Sequence, residues 1–108
     1  MESCRLPDRA VSMFSKGVRS LVSSSYINEA DANSIIAMFK QVKNDVSTGA
    51  SVTAAAVAAR YLMVNVLGKD IDRDEVANAF GIPPSRLYGA ISVRVISTLK
   101  RATLTFMP

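Results

Sequence analysis

The segment Val52–Leu67, VTAAAVAARYLMVNVL, constrains the fold most, because it is apolar around its whole circumference apart from Thr53, Arg60 and Asn65. A helix apolar on every side is stable in water only when neighbouring elements cover all of it. The segment is therefore predicted as the central helix of a bundle, capped by Ser51 and closed by Gly68. Ala54, Ala55, Ala56, Ala58 and Ala59 keep its surface low, so flanking helices can approach closely.

The flanking segments carry one apolar face each. Val11, Phe14, Val18, Leu21 and Val22 recur at helical spacing after Pro7, which suits a first turn. Asn28 offers an N-cap oxygen, Glu29 and Asp31 favour the positive end of the helix dipole, and Ala32, Ile35, Ile36, Phe39, Val42 and Val46 form the inner face up to a stop at Gly49. Asp72 and Glu75 have capping-box spacing and open a short helix that ends near Phe80. After Gly81, Pro83 and Pro84 permit a donor-poor first turn, and a last helix is expected to about Lys100 or Arg101. Strand-like alternation occurs only briefly, from Thr103 to Met107. The prediction is an all-α single domain over 1–108, with helices near 7–22, 28–46, 52–67, 73–80 and 84–100.

Composition narrows the class. A chain of 108 residues that is 49% hydrophobic can bury a core without staples. Its single cysteine, Cys4, and its lack of histidine leave no disulfide framework and no zinc ribbon, so a reducing, intracellular setting is expected. The opening MESCRLPDRA is broken by charges where a secretory signal needs an apolar core, and no later stretch reaches about 18 unbroken apolar residues, so no export by that route and no membrane span are expected.

The inventory argues against an enzyme. Cys4 has no histidine to activate it, no serine sits in a nucleophile elbow, and Gly68-Lys69 lacks the rest of a P-loop. Asp70, Asp72, Asp74 and Glu75 are explained more simply as capping and solvated residues at a helix start. No cofactor or metal is expected. The net charge of +4 and an isoelectric point near 9.6 favour a polyanionic partner.

Residues Glu75–Ser92, EVANAFGIPPSRLYGAIS, meet the steric demands of a helix-turn-helix: Ala77 is small at the crossing, Gly81 makes the turn, and Val76, Phe80, Ile82, Leu87 and Ala90 supply apolar contacts. On that reading Pro83, Pro84, Ser85, Arg86, Tyr88, Gly89 and Ser92 face DNA, with Arg86 and Tyr88 as the main contacts. Arg73, Arg94, Lys100 and Arg101 are then phosphate contacts, which position without reading sequence. The competing reading is a packed helical hairpin whose arginines form an ordinary solvated face.

The order Gly49, Ser51, Ala56, Ala58, Tyr61, Gly68, Glu75, Val76, Ala77, Gly81, Ile82 and Leu87, together with Phe39-Lys40-Gln41-Val42, resembles a cyclin-like repeat of the transcription factor IIB family, from about Leu6 to Leu99. The resemblance implies a five-helix cyclin fold that bridges the TATA-binding protein, promoter DNA and RNA polymerase, in the nucleus or nucleoid, or in the cytoplasm of a prokaryotic, archaeal or viral source. It carries the family's DNA-reading positions onto Pro84, Ser85, Arg86 and Tyr88. The chain departs from the family pattern at Tyr88 and Gly89, and it has room for one repeat and no zinc ligands where two repeats behind a zinc ribbon are usual.

A homodimer would recreate two repeats, with Val93, Ile96, Leu104, Phe106 and Met107 as its surface; the alternative is a tail folded back on its own core. Two functional readings follow. One is a DNA-binding transcription adaptor. The other is a protein-only adaptor that holds partner helices in a groove beside the central helix, near Arg60 and Asn65.

Overall fold

The computed structural model describes residues 9–46, 52–87 and 90–106. They form α1 (Arg9–Ser23), α2 (Glu29–Val46), α3 (Val52–Asn65), α4 (Arg73–Phe80), a 3₁₀ turn at Pro84–Leu87, and α5 (Ala90–Phe106). No strand occurs among the described residues. The architecture is an all-α bundle. The expected roles of Pro7, Gly49 and Ser51 lie outside the described residues, as do Tyr88, Gly89 and the side chain of Ser92.

α3 is the hub, touching α1, α2, α4, the 3₁₀ turn and α5. Its residues Thr53 to Ala59 are all buried, as are Leu62 and Met63, so the all-round apolar character of the segment is used on every side. Phe14, Val18 and Leu21 of α1 and Ala32, Ile35 and Phe39 of α2 close over it. The rings of Phe14 and Phe39 stack with centroids 4.2 Å apart and planes 5° from parallel. α5 adds Val95 and Leu99.

The helix ends follow local chemistry. Asn28 Oδ1 accepts the Asp31 N–H at 2.8 Å, an N-cap bond of the kind that contributes about 1 kcal/mol. Just past the end of α1, Ser25 has φ 67°, and the Tyr26 N–H returns to the Leu21 carbonyl at 3.0 Å. A left-handed serine costs about 1 kcal/mol, which the reclaimed helix-end carbonyls offset. α3 stops at Asn65, short of the expected Leu67, where Asn65 Nδ2 donates to the Tyr61 carbonyl. α4 ends at Gly81 with φ 71°, where the Ile82 N–H bonds the Ala77 carbonyl at 3.0 Å. This is the Schellman geometry that glycine adopts without steric penalty.

Three expectations are corrected. The capping box does not form: Asp72 has extended N-cap geometry but its side chain makes no cap bond, while its backbone carbonyl accepts the Glu75 and Val76 N–H groups. The Glu75 carboxylate instead accepts the Tyr26 hydroxyl. The helix expected over 84–100 does not open as an α-helix, because Pro83 and Pro84 lack N–H donors and the Arg86 N–H closes on the Pro83 carbonyl at 3.0 Å, winding a 3₁₀ turn over Pro84–Leu87, with α5 described from Ala90. Finally, α5 runs to Phe106, so the strand-like stretch from Thr103 is helical to that point. No glycine or proline occurs between Arg101 and Phe106 to stop it.

Candidate functional site

The charge of this chain is unevenly distributed. Up to Glu75 nine basic and nine acidic residues cancel, and from Val76 onward there is no carboxylate side chain at all. The net charge of +4 therefore comes entirely from Arg86, Arg94, Lys100 and Arg101. These side chains are all exposed, Arg86 on the 3₁₀ turn and the other three on α5. Arg94 and Arg101 are seven residues apart, about two turns or 10.5 Å along one face of α5, with Lys100 beside Arg101.

The bundle explains this exposure. α5 turns Val95 and Leu99 into the core, which leaves Val93, Arg94, Ile96, Ser97, Lys100 and Arg101 outside. Arg19 pairs with Glu29 at 3.2 Å and Lys69 with Asp31 at 3.9 Å, but Arg86, Arg94 and Arg101 enter no ion pair among the described residues. Three unneutralised guanidinium groups on adjoining elements make a surface suited to a polyanion.

The remaining sequence-predicted positions divide. Pro84 and Ser85 are exposed on the 3₁₀ turn next to Arg86. Arg73 is exposed at the first residue of α4, between Asp72 and Asp74, so its local field is less positive than that of α5.

Beside this surface lies a cleft of about 200 Å³, lined by Val57, Arg60, Tyr61, Asn65, Arg73, Leu87 and Ile96. α3 supplies one wall, the start of α4 and the 3₁₀ turn a second, and α5 the third. Arg60 and Asn65, the polar interruptions in the central helix, both reach it. The half-buried Arg60 is held in place by its Nε, which donates to the Ile71 carbonyl at 3.1 Å. Sequence reasoning missed Val57, Tyr61, Leu87 and Ile96 as wall residues. The signal for the α3 part was present, since 57, 61 and 65 repeat every four residues along one helix face.

On the far side of α4, the hydrogen bond to Glu75 pushes the Tyr26 hydroxyl pKa above the ordinary tyrosine value, with smaller contributions from desolvation and from the charges of Glu75 and Asp72. A raised folded-state pKa stabilises the fold below the unfolded value, about pH 10, and that contribution is lost as pH rises through the folded value. Thermal melts should therefore show the wild type losing its advantage over Tyr26→Phe above about pH 10. A difference in Tm between the two that stays constant through that range would refute the coupling.

No protein-family model matches this chain, and no match was found among curated proteins or solved structures. The described residues contain no cluster of three or more His, Cys, Asp or Glu able to hold a metal ion. No described helix is long and apolar enough to cross a membrane.

Proposed function

We propose that this chain is a DNA-binding adaptor of the transcription factor IIB type, a single cyclin-like repeat that docks on promoter DNA through the 3₁₀ turn and the exposed face of α5. The observation that carries this reading is the carboxylate-free C-terminal third, whose four cations are all exposed. Each cation that neutralises a phosphate releases condensed counterions, which is the main source of affinity on such a surface. Arg94, Lys100 and Arg101 act as phosphate contacts. Arg86 is the residue in the turn whose side chain can reach a guanine edge with two hydrogen bonds.

Direct readout is correspondingly narrow. A single 3₁₀ turn presents fewer side chains to a major groove than the first turns of a long recognition helix do. Sequence preference then comes mainly from DNA shape and from a protein partner such as the TATA-binding protein, to which this repeat would add phosphate contacts.

The test is a binding titration on a TATA-containing duplex between about 50 and 200 mM salt, with and without TATA-binding protein. Three or four phosphate contacts give a slope of log K against log salt of about −3 to −4. The triple variant Arg86→Ala, Arg94→Ala, Arg101→Ala should reduce the magnitude of that slope by about three, roughly one per cation. Arg86→Ala combined with Tyr88→Ala should weaken binding in both settings. A triple variant that binds with the wild-type slope would show that this surface is not the DNA contact.

A further inference from the structure

We infer that a second cleft, between α1, the start of α3 and the end of α4, binds a small amphipathic carboxylate, an aryl or alkyl acid whose apolar body packs beside Phe80 while its carboxylate meets Lys16. This cleft shares no residue with the α5 surface or with the cleft next to it, so the inference stands apart from the DNA reading. Its volume is about 470 Å³, within the roughly 300–1,000 Å³ of small-molecule sites, and it lies between helices of a bundle, where such sites form.

The apolar part comes from all three helices. Phe80 of α4 reaches the cleft because Gly17 has no side chain, so the ring lies directly against the backbone of α1. Met13 and Val52, both half-buried, extend this surface on α1 and α3. The unbranched thioether of Met13 can adjust to the shape of a bound ring or chain.

The polar part is small and of one sign. Lys16, Ser20 and Asn78 are exposed at the rim, and no carboxylate lines the cleft. α1 carries no acidic residue, and Lys16 enters no ion pair among the described residues. Ser20 stands four residues after Lys16 on the same helix face, so its hydroxyl can share an anion with the ammonium group. Two helix ends also meet the cleft, the positive start of α3 at Val52 and the negative end of α4 at Gly81. They oppose each other, and the Asn78 and Ala77 carbonyls of α4 are already bonded by the Gly81 and Ile82 N–H groups. Lys16 therefore sets the sign of the ligand. One cation over an apolar floor selects a single carboxylate with an apolar body rather than a polyanion.

The test is a methyl NMR titration of the full chain with 4-phenylbutyrate, and with 4-phenylbutanol as the uncharged control. The acid should shift the Met13 and Val52 methyl groups saturably, with a Kd of about 1 mM or tighter, and the alcohol should bind about fivefold or more weakly. Lys16→Ala should bring the two probes within about twofold of each other, because it removes only the charge discrimination. Ser20→Trp should fill the cleft and weaken the acid about tenfold; both substitutions are at exposed positions and leave the core intact. The triple change Arg86→Ala, Arg94→Ala, Arg101→Ala should alter acid binding by less than about twofold.

The inference is overturned if the acid gives no saturable shift up to about 10 mM, or if the alcohol binds the wild type as tightly as the acid. It is also overturned if Lys16→Ala keeps the preference for the acid, or if the triple variant abolishes it, which would place the anion on the α5 surface.

Discussion

Phe39→Ala should lower the unfolding free energy by about 3–5 kcal/mol, measured by urea or guanidinium denaturation. Phe39 is 2% exposed, and its ring lies against Phe14 of α1, which is fully buried. The substitution removes a large buried apolar surface and leaves a cavity between α1 and α2. It also removes the aromatic pair, itself worth about 0.5–1.5 kcal/mol beyond burial. Stability of a domain this size is about 5–15 kcal/mol, so the loss is a large fraction of the total. Phe39→Leu should recover much of it by refilling the volume. A loss below about 1 kcal/mol for Phe39→Ala would mean that the α1–α2 contact is not part of the cooperative core.

The second large effect concerns Gly17. In an exposed helix interior, Gly→Ala stabilises by about 1 kcal/mol. Here the sign should reverse, because Gly17 lies where α1 crosses α4, and a Cβ built there would sit well inside van der Waals contact with the Phe80 ring. Phe80 is 8% exposed and borders a cleft together with Gly17, so its ring can yield only by giving up buried contacts.

Overpacking of this kind costs about 1–3 kcal/mol, which outweighs the gain in helix propensity. Gly17→Ala should therefore lower Tm, and Gly17→Val should lower it further. The cause can be isolated with a double-mutant cycle: Gly17→Ala together with Phe80→Ala should destabilise by less than the sum of the two single changes, by about 1 kcal/mol or more. A stabilising Gly17→Ala, or strict additivity, would remove the contact as the reason for glycine at this position.

These two sites show how differently positions can be read. Phe39 follows from spacing alone, as one of a series of apolar residues on one face of α2. Gly17 interrupts an otherwise good helix, and nothing in its neighbourhood along the chain explains it. Its partner is 63 positions away in the chain, so the explanation exists only once α1 and α4 are packed.

The candidate sites divide in the same way. Exposure of Arg94, Lys100 and Arg101 follows from helical periodicity, because Val95 and Leu99 take the inward face of α5. The cleft does not follow from it. Val57 and Tyr61 share a helix face that the sequence displays, but Leu87 and Ile96 join them only through the path of the chain after the two prolines.

What the sequence by itself determined is the all-helical class, the order of the helices and the central place of α3. Local spacing, the Asn28 cap and a segment apolar on every side apart from Thr53, Arg60 and Asn65 point to a helix that the others must cover. What tertiary structure decided is where helix ends and side-chain partners fall when local and nonlocal demands compete. Glu75 leaves its capping role for Tyr26, which the α1–α2 turn brings to the start of α4. The last helix, described from Ala90, follows a 3₁₀ turn that packs on α3 and α4. Hydrogen bonds and close contacts between residues far apart in sequence carry no periodic signal, so only the packed chain decides them.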